Sequence, residues 1–198
     1  MKQKDPQHVI FRDDDVGRPT PISNIANLHK MFVEAHELYN KYNVIHEIGY
    51  ITNGPKEHMS DTIKYILEQK NIVVQLHGHD HYDFSKLSEK ELRYQFENGI
   101  KSIQDIFGTA PTRWYPPWHK TSELAIQIAS EYGLRSTPIQ AGSIGHFVTN
   151  YRKYIKQTPV KIVCHHFWSD HQQAELENGF KIYINILKEH YDIELMQF

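Results

Sequence analysis

The sequence predicts an α/β protein built around a parallel sheet of about seven strands. Short apolar runs alternate with stretches of 3.6-residue periodicity from end to end, which is the rhythm of right-handed βα units. The run NIVVQLH at 71–77 is apolar almost without interruption, as in a strand covered on both faces. No internal repeat, low-complexity tract or Gly/Ser-rich linker breaks the alternation, so the 198 residues read as one domain over 1–198. Spacing alone leaves open whether the sheet is flat and doubly wound or closed as a barrel.

The elements follow in order. HVIFRD at 8–13 is a strand that ends in acids. Ser23 precedes the stripe Ile25, Leu28, Phe32, Ala35, Leu38 and Tyr42, an amphipathic helix with a candidate cap. VIHEIGYIT at 44–52 is a strand closed by Asn53-Gly54-Pro55. A helix near 57–70 turns Ile63, Ile66 and Leu67 inward and leads to the apolar strand at 71–77. Ser88 and Glu91 have the spacing of a capping box before Leu92, Phe96, Ile100, Ile103 and Phe107, and Gly108 stops that helix. TRWY at 112–115 is a short strand. A helix from Ser122 to Tyr132 ends at Gly133, and LRST at 134–137 is a weak strand. Residues 138–160 read as a long excursion. KIVCHH at 161–166 is a strand, a helix spans about 173–189, and IELMQF at 193–198 is the last strand.

Composition excludes several function classes. Lys and Arg number 22 against 24 Asp and Glu, a net charge of −2, which lacks the basic excess of a general nucleic-acid binder. One cysteine, Cys164, excludes an internal disulfide framework and a multi-cysteine zinc module. It lies within an apolar strand and reads as packing. No apolar run reaches the ~20 residues of a membrane span, and the first residues carry no apolar signal core. The expectation is a cytoplasmic protein. Fourteen histidines are many for such a chain, and their positions matter.

Four strands end in chemistry-bearing residues: Asp13-Asp14-Asp15, then His77-Gly78-His79-Asp80-His81, Tyr115-Pro116-Pro117-Trp118-His119, and His165-His166. In a parallel α/β sheet these ends share one face, where active sites gather. Three carboxylates emerging from an apolar strand are costly without a cation. Alternation lets neighbouring aspartates do different work, one holding a metal and one acting as a base. Imidazole is the commonest metal ligand. In an extended chain His77, His79 and His81 share a face, whereas a turn after Gly78 makes His77 and His81 converge. The lack of thiolates favours a catalytic N/O site over a structural one. TRWYPPWHK reads as a stiff aromatic wall in which Tyr115 offers the backbone N–H that Pro116 and Pro117 lack. Alternation sends one of His165 and His166 inward. No phosphate-binding glycine loop or nucleophilic serine motif is present.

The set FRDDDVG, LHGHDH, YPPW and IVCHH, in that order, resembles the polysaccharide deacetylase (NodB-homology, carbohydrate esterase family 4) superfamily from Phe11 to about Trp168. The resemblance implies an irregular (β/α) barrel and closest kinship with a divergent, intracellular-type branch. It implies Asp14 as base, with Asp13/Asp14 as the alternative register, and Asp15, His77 and His81 as metal ligands, with His79 at a variable position. It implies His165 rather than His166 as general acid. Tyr115, Pro116, Pro117 and Trp118 match the substrate wall. The family's wall arginine is replaced by Tyr115, and Arg113 or Arg12 is the expected stand-in, with Arg113 placed among the substrate-binding residues.

The implied activity is metal-dependent removal of an N-acetyl or other N-acyl group from a sugar or glycan, with water on one divalent ion as nucleophile. Zinc is expected, with cobalt, nickel or manganese as alternatives. The expected partner is an acylated sugar; nucleic acid and a membrane span are not expected, and the oligomeric state is open. The rival readings are a metal-dependent hydrolase of another non-peptide C–N bond and a catalytically inactive sugar-binding barrel.

Overall fold

The computed structural model describes residues 8–17, 25–54, 59–136 and 160–190. Six strands form one sheet: β1 (His8–Val16), β2 (His46–Tyr50), β3 (Ile72–Leu76), β4 (Arg113–Trp114), β5 (Arg135–Ser136) and β6 (Val160–His165). Their order is β5-β4-β3-β2-β1-β6 and every pairing is parallel. Helices α1 (Ile25–Lys41), α2 (Ser60–Glu68), α3 (Glu89–Phe107) and α4 (Glu123–Glu131) connect successive strands, and α5 (Asp170–His190) follows β6. The sheet curls into a half-barrel, so the irregular (β/α) barrel replaces the open alternative. The strand expected over 193–198, the Ser23 cap and nearly all of the 138–160 excursion lie outside the described residues.

Local signals act as the sequence implies. The Ser88 side chain accepts from the Glu91 N–H while Glu91 reaches back to the Ser88 N–H at 2.8 Å, completing the capping box of α3. Gly108 closes that helix in the left-handed conformation, φ 72°. Ser122 caps α4 by accepting from the Ala125 N–H at 3.2 Å. Such a cap is worth about 1 kcal/mol. None of the described helices is long and apolar enough to cross a membrane.

Strand alternation divides the sheet into two unlike faces. The outer face carries Phe11, Ile48, Leu76, Trp114 and Val163, all 0% exposed, under the helices. Phe11 meets Phe180 of α5 edge-on at 4.8 Å, and Trp114 meets Phe96 of α3 at 4.9 Å. The inner face is polar: Arg12, Asp14, Glu47, Gln75 and Cys164 are buried there. Gln75 takes the backbone N–H groups of Thr112 and Arg113 at 2.9 and 2.8 Å, which anchors the start of β4. This buried polar face is what positions the site.

Candidate metal centre and active site

The end of β1 is irregular. Register with β2 shifts between Asp13 and Val16, and Asp15 adopts φ 64°, a left-handed conformation unusual outside glycine. The bulge sends the three aspartates three ways. Asp13 enters the outer core, Asp14 stays on the inner face beside Arg12, and Asp15 turns toward β3.

The chain after β3 supplies the partners. Gly78 has φ 99°, and a Cβ there would lie 2.6 Å from the Asp80 carbonyl oxygen, so only glycine makes this turn without strain. The turn brings the rings of His77 and His81 within 5.3 Å. Asp15 Oδ1 lies 3.4 Å from His77 Nε2 and 3.0 Å from His81 Nε2. His77 Nδ1 contacts the Tyr115 carbonyl oxygen at 2.8 Å. A carbonyl only accepts, so Nδ1 carries the proton and the Nε2 lone pair faces Asp15, as in an oriented metal ligand. Asp15 Oδ1 is buried without a hydrogen-bond partner. These three residues therefore fit one divalent ion. His79 points elsewhere: its Nδ1 meets Thr52 Oγ1 at 2.8 Å and its ring lies against Tyr94. The turn, rather than the extended chain, is what the fold adopts.

Asp14 is 1% exposed. Its Oδ2 accepts from Arg12 and from the Cys164 thiol at 3.1 Å, while Oδ1 has no hydrogen-bond partner. Burial alone would raise this carboxyl, but Arg12 and His77 outweigh it and hold it below the usual range. Burial likewise works against Asp15, and His77 and His81 bring it well below the usual range. The Cys164 thiol is pushed up by burial and by Asp14, so it is a donor here and not a nucleophile.

Arg12 is 0% exposed and its guanidinium lies 4.0 Å over the Tyr115 ring. Of the two arginines expected beside the strand-one acids, Arg12 is the one paired with Asp14. Positions i and i+2 on a strand share a face, so Arg12 reaches Asp14 directly. Arg113 pairs instead with Glu47 at 3.0 Å, and Tyr115 donates its hydroxyl to the same Glu47. Arg113, partly exposed, and the buried Tyr115, both expected in the substrate-binding set, are thus engaged with Glu47 beneath Arg12. The Tyr115 N–H is also spent, donating to the Leu76 carbonyl at 2.8 Å. Pro116 and Pro117 are buried, while Trp118 is 53% exposed with its ring 4.3 Å from that of His81. Trp118 and His119 both have positive φ, 50° and 60°. A cleft of about 510 Å³ opens beside Trp118, lined also by Tyr82, Asp83, Lys86 and Lys120.

The expectation for His165 is corrected. Cys164 faces inward, so alternation turns His165 outward into the core, where it is 0% exposed and bonded to the Tyr39 hydroxyl. Burial, reinforced by His166, pushes its pKa down to about 3. His166 comes back to the centre, with Nε2 3.8 Å from Asp15 Oδ2 and a side chain 25% exposed. The exposed His119 lies close enough to the centre for its charges to act on it: partial desolvation and Arg12 lower its pKa, and Asp14, His77 and His166 also bear on it. The sequence places His119 at the end of the wall motif but assigns it no role.

Residues 27–137, just over half the chain, match the model of the polysaccharide deacetylase family. The chain belongs to the polysaccharide deacetylase family. Solved structures with the same fold include a family 4 carbohydrate esterase pseudoenzyme from Bacillus anthracis, with TM-score 0.70 and 17% identity, covering 93% of this chain and 62% of that one. The chain thus spans under two thirds of that protein's length. The peptidoglycan deacetylase PdaC from Bacillus subtilis gives TM-score 0.67 at 15% identity over 92% and 85% of the two chains. A family 4 acetyl xylan esterase from Clostridium thermocellum, solved with a cobalt ion, gives 0.63 at 14% over 91% and 83%. No curated protein sequence matches the chain. This polysaccharide deacetylase-family chain carries an Asp/His donor set that fits a divalent ion and the buried acid–arginine pair described above; the β1 and β6 residues of the site lie outside the matched segment.

Proposed function

We propose that this polysaccharide deacetylase-family protein is a hydrolase that removes an N-acetyl or related N-acyl group from a sugar or glycan. The observation that carries the reading is the ionised, arginine-held Asp14 directly beside the Asp15–His77–His81 donor set. Those three residues would hold a divalent ion, zinc the first candidate, which would supply Lewis acidity toward the water and the acyl carbonyl.

The chain's own residues do the rest. Arg12 and Cys164 fix one oxygen of Asp14 and leave Oδ1 to take the proton of the attacking water. Held below the usual range, Asp14 is ionised at neutral pH, so Oδ1 is open to accept that proton. His166 gives a proton to the departing nitrogen as the C–N bond breaks, since an amide anion is too poor a leaving group. Trp118 carries the first backbone N–H after the two prolines and takes the oxyanion role that the Tyr115 N–H cannot. Losing such a donor typically costs about 10²–10³ in rate. Exposed Trp118 and Tyr82 flank the cleft with flat apolar faces suited to a pyranose ring.

The test is metal-dependent acetate release from N-acetylglucosamine oligomers, comparing the protein with its Asp14→Asn and His81→Ala variants. Asp14→Asn keeps the metal and loses turnover; His81→Ala loses both. Absence of acetate release from these oligomers and from monomeric N-acetylhexosamines by metal-loaded protein refutes the reading. It would favour an inactive barrel, as in the Bacillus anthracis relative, or another C–N substrate.

A further inference from the structure

Directly behind the active centre lies a second set of the same residue types. Asp13, His46 and His165 are each 0% exposed and offer ligand atoms within 4.8 Å of one another. They come from three adjacent strands, β1, β2 and β6, with Asp13 in direct register with His165. His46 Nε2 lies 3.4 Å from Asp13 Oδ2, and His165 Nδ1 lies 3.8 Å from Asp13 Oδ1. Asp13 Oδ2, His46 Nε2 and His165 Nδ1 are all buried without a hydrogen-bond partner. Buried polar atoms of this kind are few in native proteins, and three converging on one point call for a common partner.

The remaining polar atoms of the trio are engaged. The Tyr39 hydroxyl meets His165 Nε2, His36 Nδ1 meets His46 Nδ1 at 3.1 Å, and Asp13 Oδ1 accepts from the Phe167 N–H at 2.8 Å. Each histidine is thus held by the ring nitrogen that faces away from the trio, which is how ligating histidines are oriented. The spacing also fits. An N–H···O bond spans about 2.7–3.2 Å, whereas tetrahedral bonds of about 2.1 Å place neighbouring ligand atoms about 3.4 Å apart.

We propose that Asp13, His46 and His165 form a second, fully buried site for a divalent first-row transition ion, of the zinc or iron(II) class. Two imidazoles and one carboxylate select such ions over magnesium or calcium, which prefer all-oxygen sets. With no exposure, the site has no access for substrate, so the ion is structural. It ties β1 to β2 and β6 immediately beneath the bulge that aims Asp14 and Asp15. The competing arrangement is metal-free, a protonated Asp13 carboxyl facing a neutral His46, since burial raises the one and lowers the other.

Metal counting separates the two. The protein and its His81→Ala, His46→Gln and double variants are unfolded, refolded with zinc, desalted and analysed for ions per chain. The second site predicts two ions in the parent, one in each single variant and none in the double variant. It also predicts that chelation lowers the melting temperature of His81→Ala. A single ion that disappears in His81→Ala, or no ion in any form, overturns the proposal. One ion that survives His81→Ala and vanishes in His46→Gln supports this site and removes the outer one. Should His46→Gln fail to fold, the counts for the parent and for His81→Ala decide alone: retention of one ion by His81→Ala supports the proposal and its loss overturns it.

Discussion

Gly49 is the position where one added carbon tests the whole arrangement. It lies in β2, in register with Gln75 of β3, and its backbone is not in the left-handed region, so alanine meets no conformational barrier there. The obstacle is space. A Cβ on Gly49 would sit 2.5 Å from Asp14 Oδ1 and 3.3 and 3.4 Å from His77 Cβ and Cγ. The first distance is roughly 1 Å inside ordinary contact. Neither neighbour yields easily: Asp14 is held by Arg12 and Cys164, and His77 by the Tyr115 carbonyl. Overpacking of this kind costs about 1–3 kcal/mol. Misplacing a reacting group by about 1 Å costs on the order of 10² in rate. Gly49→Ala is therefore expected to fold, to melt a few degrees lower, to lose about 10²-fold in kcat/KM for acetate release, and to bind zinc more weakly by competition with a chelating dye. Gly133→Ala is the control, because nothing lies within 4 Å of its Cβ but φ is +74°. It is expected to lose about 1–2 kcal/mol of stability through that conformation alone, with kcat/KM and zinc affinity unchanged. Equal kcat/KM and zinc affinity in the two variants would refute the placement of Asp14 and His77 around Gly49.

Arg12→Met leaves Asp14 buried without its cation and is expected to cost about 3–5 kcal/mol in urea denaturation; a smaller loss than from Arg113→Met would remove Arg12 as the principal partner. His166→Ala is expected to keep the metal and lose about 10²–10⁴ in kcat, whereas His165→Ala acts mainly on stability; kinetics of both variants on one substrate reverse the assignment if His165→Ala is the slower at full metal loading. His165, with a folded pKa near 3, binds fewer protons folded than unfolded between about pH 3 and the ordinary histidine value near 6.5, and His46, pushed well down by burial, acts in the same direction. Their contribution is present above that value and is lost as pH falls through the window, with a slope of up to ~1.4 kcal/mol per pH unit for each group. Asp13, raised by burial, takes up a proton on folding over part of the same window and opposes this, so urea midpoints of metal-free Asp13→Asn protein between pH 7 and 4 check it, and a flat profile there contradicts it.

Local physics was legible in the chain. The capping box at Ser88 and Glu91, the stop at Gly108 and the apolar run into β3 depend on neighbours a few residues away, and each stands where the sequence places it. The motif order also placed Asp15, His77 and His81 at strand ends that a parallel sheet gathers on one side. What the tertiary structure decided was direction. Gly78 turns the chain so that His81 returns and His79 leaves, and the left-handed bulge at Asp15 separates three adjacent, chemically identical acids. The face of β6 decided between His165 and His166. Alternation in a single strand says only that neighbours oppose each other; which one faces the cleft is set by the strand beside it, here by Cys164 meeting Asp14 across from β1. The selection of Arg12 as the partner of Asp14 follows from the same cause. The pairing of Arg12 with Asp14 is short in sequence, but its choice over Arg113 depends on Glu47, a residue of another strand that draws Arg113 away.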